Sequence, residues 1–186
     1  MKTIIERTNP DRQTLFFSAT FDNDIREFSR LYQRDPAKVI IEKKELTAEK
    51  IEQFYLELNR NMKTEILNRL ILIHKPKKSI IFCNTKRMVE ALEVEIAQRG
   101  YKVDSLHGDM RQSSRDNVMK KFRNGTIDVL IATDVAARGL DVSDIDLVFN
   151  YDLPQQAEYY VHRIGRTARA GKKGASFTFV TSKDFP

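Results

Sequence analysis

Residues 78–100 of this 186-residue chain read KSIIFCNTKRMVEALEVEIAQRG, and this stretch decides the fold. It opens on a short apolar run, KSIIFC, which predicts a buried strand. The apolar residues that follow lie near helical spacing: Met88, Ala91, Leu92, Val94 and Ile96. Gly100 is placed to end that helix. A strand that enters a helix is the first half of a βαβ unit, the element from which parallel sheets are built.

The same alternation continues along the chain. The later segments are predicted as strand, helix, strand, strand, helix and closing strand, in the order YKVDSLHG, SSRDNVMKKFRNG, TIDVLIATD, IDLVFNYD, AEYYVHRIG and GASFTFVT. In the first of these helices we expect Val118, Met119 and Phe122 to point inward. Before residue 78, IEQFYLELN alternates like a strand and NMKTEILNRLILIH has the pattern of a helix. The sequence therefore predicts an α/β fold, with a parallel sheet between two layers of helices.

Residues 1–41 have a different organisation. RQTLFFSATF and AKVIIE each predict a strand, and DNDIREFSRLYQRDP predicts a helix that Pro36 stops. Two strands and one helix are too few to bury a core of their own, so we expect them to be frayed, loosely packed or paired with another molecule. They form either an extra edge of the main sheet or the end of a neighbouring domain. Residues 42–50 lack apolar periodicity and are predicted as a linker to a second domain at residues 51–186.

The composition is typical of a basic globular protein, with 41% hydrophobic and 31% charged residues and a net charge of +6. Such a charge suits nucleic acid or a nucleotide without requiring either. Cys83 lies inside an apolar run and is predicted to be a small buried hydrophobe in a reducing compartment. The three histidines are scattered, so no metal site is predicted. No apolar run is long enough to span a membrane and no signal-peptide pattern opens the chain, so we expect a cytoplasmic protein.

Polar and glycine residues follow the predicted strands. In open parallel sheets, ligands bind in the loops at the carboxyl ends of the strands, where helix N-termini favour anions. The candidate residues of these loops are Thr85, Gly108, Gln112, Arg115, Asp134 and Asp141. Each also has an ordinary structural explanation: a helix cap for Thr85, a special turn conformation for Gly108, a solvated turn for the Gln–Arg pair, and turns or caps for the aspartates.

The stretch YVHRIGRTARAGKKG, residues 160–174, places Arg163, Arg166 and Arg169 three residues apart. Like charges at helical spacing repel each other by roughly 0.2–0.5 kcal/mol per pair, so this face either binds an anion or is a solvated basic surface. The stretch is not a phosphate loop, because its glycine spacing is wrong, a helix precedes it and Lys173 replaces the required hydroxyl. Arginines without a phosphate loop indicate a chain that supplies charge to a nucleotide held by another domain.

Five motifs of the chain resemble those of a known family. FFSATF, IIFCNTKR, LHGDMRQSSR, ATDVAARGLDV and YVHRIGRTARAG occur in the order and spacing of DEAD-box RNA helicases, members of helicase superfamily 2. The resemblance covers nearly the whole chain. It implies a RecA-like fold, namely the second RecA-like lobe preceded by the end of the first lobe. It also implies ATP with Mg²⁺ as the cofactor, bound mainly by the missing first lobe, and RNA as the partner.

The resemblance implies roles for residues on the nucleotide side. The residues that would act on the γ-phosphate and hold the closed state are Arg166, Arg169 and His162. Those that would contact the ATP ribose are Gly139 and Asp141. Those that would couple hydrolysis to strand separation from the first lobe are Ser18 and Thr20.

The resemblance also implies an RNA site. The sugar-phosphate backbone would be held by Thr85, Gly108, Gln112, Arg115 and Thr133. Contacts to phosphate and 2′-hydroxyl groups carry no base information, so we expect RNA binding without sequence preference and with strong salt dependence.

One position departs from the family pattern. The family usually has glycine where this chain has Ala168, between two of the arginines. If the backbone there needs a positive φ, alanine costs about 1 kcal/mol and turns Arg169 away; if the position is helical, alanine is the better residue.

Three functions remain open from the sequence. The first is the second lobe of an ATP-dependent RNA helicase, which closes on ATP and RNA to melt short duplexes and is inactive as an isolated fragment. The second is a stand-alone module that binds RNA or a partner without ATPase activity. The third is another doubly wound domain, such as a flavodoxin-like regulator, which gives no reason for three spaced arginines.

Overall fold

The computed structural model of the chain describes residues 2–18, 23–40, 51–137, 145–168 and 173–185. The chain divides into two compact units, Met1–Lys44 and Glu45–Pro186. The predicted linker, residues 42–50, lies outside the described residues.

The smaller unit is built around one helix. Helix α1 spans Lys2–Ile5 and α2 spans Asn23–Tyr32, which confirms the helix predicted ahead of Pro36. The ring of Phe28 on α2 lies 5.4 Å from that of Phe16 and 4.6 Å from that of Tyr32. These contacts pack the segment before α2 against the helix.

The prediction of two strands in this unit is wrong for the described residues. Residues 12–18 and 36–40 form no β-ladder, and each segment leaves large apolar side chains in solvent, with Phe17 93% and Val39 88% exposed. A strand is stabilised by its pairs with neighbouring strands, and no sheet is present among the described residues of this unit. Within the described residues, these apolar segments therefore lack a partner strand.

The larger unit contains a parallel sheet. Its strands within the described residues are β1 Ile51–Glu57, β2 Ser79–Phe82, β3 Val103–Leu106, β4 Val129–Ala132, β5 Leu147–Asn150 and β6 Gly174–Val180. They lie in the order β1-β6-β5-β2-β4-β3, and every neighbouring pair is parallel. The parallel α/β fold predicted from the sequence is confirmed.

Helices connect the strands. They are α3 Lys63–His74, preceded by a 3₁₀ turn at Arg60–Met62, α4 Lys86–Gln98, α5 Gln112–Arg123, α6 Asp134–Ala137 and α7 Ala157–Ile164. Gly100 follows α4 with φ +88°, a conformation that favours glycine and ends the helix as predicted. None of the helices in the described ranges is long and apolar enough to cross a membrane.

Two apolar clusters cover the two faces of the sheet. Ile80 and Phe82 of β2 belong to the cluster that α5 covers, whereas Ile81 and Cys83 belong to the cluster that α3 and α4 cover. Both faces of β2 are therefore buried, which explains its uninterrupted apolar sequence. Burial raises the pKa of the Cys83 thiol above its ordinary value, so Cys83 stays protonated as the small buried hydrophobe that was predicted.

The buried face of α4 contains only some of the apolar residues that lie near helical spacing in the sequence. Val89, Leu92 and Ile96 are buried, whereas Val94 is 58% exposed and Ala91 is exposed. At 3.6 residues per turn, positions 89, 92 and 96 form one stripe and positions 91 and 94 lie outside it. In α5 the prediction is confirmed, since Val118, Met119 and Phe122 are all buried.

Candidate functional site

Three neighbouring strands end at the same level. Phe82 of β2 and Leu106 of β3 both pair with Ala132 of β4. The ladder continues one residue further, since the Cys83 N–H donates to the Ala132 carbonyl at 3.0 Å and the Thr133 N–H donates to the Leu106 carbonyl at 3.2 Å. The loops that follow these strands therefore start side by side and carry Thr85, Gly108 and Thr133, three of the five residues predicted for RNA binding.

Thr85 is the N-cap of α4. Its Oγ1 accepts a hydrogen bond from the Met88 N–H at 3.2 Å, so the structural explanation for this residue is correct. The hydroxyl proton can still be donated, because a threonine hydroxyl is both donor and acceptor. The neighbouring Lys86 forms an ion pair with Asp109. The hydrogen bond that Lys86 Nζ donates to Asp109 lowers the pKa of the Asp109 carboxyl. The pair joins the loop after β2 to the loop after β3.

Gly108 has open space around its backbone. Its φ is outside the left-handed region, and a Cβ added there would have no atom of the described chain within 4 Å. The explanation that Gly108 supplies a turn conformation forbidden to other residues is therefore wrong. A backbone without a side chain and with space beside it allows close approach of another molecule.

Gln112 and Arg115 lie in the first turn of α5. Gln112 Nε2 donates to Asp116 Oδ1 at 2.8 Å on the exposed side of the helix. Arg115 is half-buried, and its Nη2 donates to the Ala136 carbonyl of α6 at 3.1 Å. Because α6 begins directly after Thr133, this bond ties α5 to the end of β4. For Arg115 the solvated-turn explanation is therefore wrong.

Arg163 of α7 is buried, with 1% of its surface exposed. Its Nε and Nη2 donate to both carboxylate oxygens of Asp134, at 2.7 and 2.8 Å. Nη2 also donates to Asn84 Oδ1 at 2.8 Å, and Nη1 donates to the Asp152 carbonyl at 2.6 Å. The guanidinium lies over the Phe82 ring, 5.2 Å from its centroid.

The three arginines of residues 160–174 therefore do not share one anion-binding face. Arg163, the first of the three, is neutralised inside the protein by the Asp134 carboxylate. Sequence reasoning missed Arg163 as a buried residue. The available signal was the presence of Asn84, Asp134 and Asp152 directly after three apolar strands, since polar side chains at buried strand ends need partners.

A second buried cation holds the end of β5. Lys63, at the start of α3, donates from Nζ to the Tyr151 carbonyl at 2.6 Å and to Asp152 Oδ1 at 3.3 Å. The other carboxylate oxygen of Asp152 accepts the Asn84 N–H at 3.0 Å. Asp152 is thereby fixed between Lys63, Asn84 and Arg163, and the ends of β2 and β5 are joined.

The remaining predicted residues are placed only in part. On α7 and just beyond it, His162 and Arg166 are half-buried, and Arg166 Nε donates to the His162 carbonyl at 3.2 Å. Ser18 is exposed in the smaller unit. The other predicted residues, which lie outside the described residues, are Thr20, Gly139, Asp141 and Arg169.

Residues 62–171, which include the ends of β2 to β5, match the family model described as the helicase conserved C-terminal domain. The crystal structure of the Escherichia coli DEAD-box protein SrmB bound to regulator of ribonuclease activity A is 39% identical, with a TM-score of 0.70 over 73% of this chain and 81% of that one. The chain belongs to the DEAD-box helicase family. The resemblance found in the five motifs and the RecA-like fold that it implied are both confirmed for this DEAD-box lobe.

Longer DEAD-box relatives align with almost the whole chain. The DEAD-box ATP-dependent RNA helicase CshA of Geobacillus kaustophilus is 45% identical over 184 residues, which are 99% of this chain and 39% of that protein. The ATP-dependent RNA helicase CshA of Listeria monocytogenes is 46% identical over 99% of this chain and 35% of its own length. The chain therefore spans between a third and two fifths of the length of these relatives.

A further DEAD-box structure contains RNA. Saccharomyces cerevisiae Dbp5, bound to RNA and ADP BeF3, is 35% identical, with a TM-score of 0.76 over 90% of this chain and 45% of that one. The DEAD-box lobe described here thus shares its fold with a protein whose structure contains bound RNA and a bound nucleotide.

Ala168 has a left-handed backbone, with φ +55°. The sequence left open whether this position, where DEAD-box proteins usually have glycine, is helical or left-handed. The structure selects the second case. Alanine is strained in that conformation because its Cβ approaches the following carbonyl oxygen.

We expect Ala168→Gly to stabilise the DEAD-box lobe. Relief of about 1–2 kcal/mol of left-handed strain exceeds the roughly 0.5–1 kcal/mol of extra chain entropy that glycine brings to the unfolded state. The free energy of unfolding in urea should rise by up to about 1 kcal/mol. The matched control is Ala91→Gly on the exposed side of α4, which should lower it by about 1 kcal/mol. A loss of stability in both variants would contradict the left-handed assignment.

Proposed function

We propose that this chain is the second lobe of an ATP-dependent RNA helicase that closes on ATP and RNA together with an upstream lobe. The proposal rests on one observation: β2, β4 and β3 end at the same level of the sheet. Thr85, Thr133 and Gly108 therefore lie on adjacent loops. The names of the CshA relatives and the RNA bound to Dbp5 support the same conclusion.

The RNA side of the site suits a sugar-phosphate backbone. Thr85 and Thr133 would offer hydroxyl groups, and Gly108 would let the strand approach its backbone. Gln112 and Arg115 would add donors from the first turn of α5, where the helix dipole also favours phosphate. A net charge of +6 supports binding of a polyanion. All these groups address phosphate or ribose, so binding would not depend on base sequence.

The nucleotide side is proposed for the end of α7 and the residues after it. Its described donors are the Arg166 guanidinium, which suits phosphate oxygens, and the His162 imidazole. Arg169 would join Arg166 at the γ-phosphate, and Gly139 and Asp141 would contact the ribose. ATP with Mg²⁺, when bound mainly by the upstream lobe, would supply the phosphoryl group for transfer to water. Ser18 and Thr20 would couple hydrolysis to strand separation.

The decisive experiment joins this chain to an upstream lobe that carries a phosphate loop. ATP hydrolysis is then measured with and without single-stranded RNA, beside the present chain alone. We expect turnover stimulated by RNA in the two-lobe protein and almost none in the chain alone. Appreciable RNA-stimulated turnover by the chain alone would contradict a site completed by a second lobe. A two-lobe protein that binds ATP but ignores RNA would point to a binding module without ATPase activity.

A further inference from the structure

Arg163 has no part in the proposed RNA or nucleotide contacts, yet among the described residues its side chain joins three strand ends at this edge of the sheet. Its guanidinium binds Asn84 after β2, Asp134 after β4 and the Asp152 carbonyl after β5. Nη1 also lies 3.4 Å from Asn150 Oδ1 at the end of β5. A single buried group therefore fixes the spacing of three strand ends.

The residues bound by Arg163 are direct neighbours of the proposed RNA contacts. Asn84 immediately precedes Thr85, and Asp134 immediately follows Thr133. Arg163 itself immediately follows His162, whose carbonyl accepts the hydrogen bond from Arg166 Nε. The guanidinium thus links the backbone that presents the RNA contacts to the helix that presents the nucleotide contacts.

The geometry of this link leaves little freedom. A guanidinium is a planar fork, and its two-point bond to the Asp134 carboxylate fixes the plane as well as the position. The Phe82 ring lies against one face, and Lys63 fixes Asp152 from the other side of the β5 end. A displacement of α7 would have to break these bonds or move the strand-end loops with it.

We propose that Arg163 is a positioning residue that couples RNA binding to nucleotide binding in this lobe. The inference rests on the proposed function and adds to it a residue that touches neither ligand. Movement of the loops carrying Thr85 and Thr133 on RNA is passed to α7 through the guanidinium, and movement of α7 on ATP is passed back. The coupling is therefore reciprocal, as binding linkage requires.

The test measures coupling in the two-lobe protein rather than activity alone. The quantity is the factor by which saturating single-stranded RNA tightens the affinity for a non-hydrolysable ATP analogue. The variants are Arg163→Lys, which keeps the charge but loses the fork, and Asn84→Ala. The second variant removes the exposed amide that accepts from Arg163 and donates to the Leu153 carbonyl, and it leaves the buried ion pair intact. Asn68→Ala, which removes the partner of Tyr101 Oη away from the strand ends, is the matched control.

We expect the coupling factor to fall at least about fivefold in Arg163→Lys and Asn84→Ala, and to stay within about twofold of the unmodified protein in Asn68→Ala. Thermal unfolding identifies the variants that fold, and if Arg163→Lys does not fold, Asn84→Ala decides. Unchanged coupling in the folded variants, or an equal loss in Asn68→Ala, would overturn the inference alone. Absence of coupling in the unmodified two-lobe protein would overturn the proposed function as well.

Discussion

Replacing Arg169 by alanine in the two-lobe protein is expected to lower the rate of RNA-stimulated ATP hydrolysis by about 10³-fold or more. Phosphoryl transfer spreads negative charge over the equatorial oxygens of the γ-phosphate, and an arginine from a second domain stabilises that charge. Arginine stays protonated and presents a planar fork, so alanine removes both the charge and the geometry. The measurement is kcat at saturating RNA and ATP, with the affinity for ATP determined separately.

Lys173→Ala is the matched control for this prediction. Lys173 is exposed four residues after Arg169 and precedes β6, so its removal takes away the same charge without a proposed role at the phosphate. We expect kcat to stay within about twofold of the unmodified protein, since isolated surface charges contribute little. An Arg169→Ala variant that keeps its kcat, or a Lys173→Ala variant that loses as much, would remove the arginine-finger assignment.

The fold could be predicted well where local pattern and burial agree. The run IIFC, residues 80–83, is apolar at consecutive positions because β2 lies in the middle of a sheet covered on both faces. The segment around Phe17 shows the limit of the same reasoning. Its apolar residues predict a strand, but strand formation depends on a neighbouring strand, which a local pattern does not contain.

The candidate site was predictable in its location rather than in its internal partners. Thr85, Gly108 and Thr133 follow strands, and parallel topology alone places them at one edge. The burial of Arg163 had only an indirect signal, the polar residues after three apolar strands, because its partners Asn84 and Asp134 are 79 and 29 residues away in the sequence. The left-handed backbone at Ala168 was equally hidden, since alanine gives no local signal for that conformation.

Replacing Arg163 by alanine is expected to cost the isolated chain about 3–5 kcal/mol of unfolding free energy. The substitution removes the cation that neutralises Asp134 and takes away the donor to the Asp152 carbonyl at the end of β5. It also removes the donor to the exposed Asn84 side chain. Leaving buried acceptors without donors carries the desolvation penalty of each group. A loss of this size is a large part of the roughly 5–15 kcal/mol that stabilises a typical domain. Urea unfolding followed by circular dichroism measures it.

Arg99→Ala is the matched control, because it removes an arginine that is paired with acidic groups but is exposed to solvent. Arg99 also contacts two acidic groups, Glu65 at 3.3 Å and Glu95 at 3.7 Å, but all three side chains are substantially exposed to solvent. Exposed ion pairs are screened and cost side-chain entropy to hold in place, so this variant should lose only a small fraction of the stability that Arg163→Ala loses. Equal shifts of the urea midpoint in the two variants would mean that Arg163 contributes through the net charge of the chain. A large shift in Arg163→Ala alone would show that the stability resides in the bonds that join the ends of β2, β4 and β5.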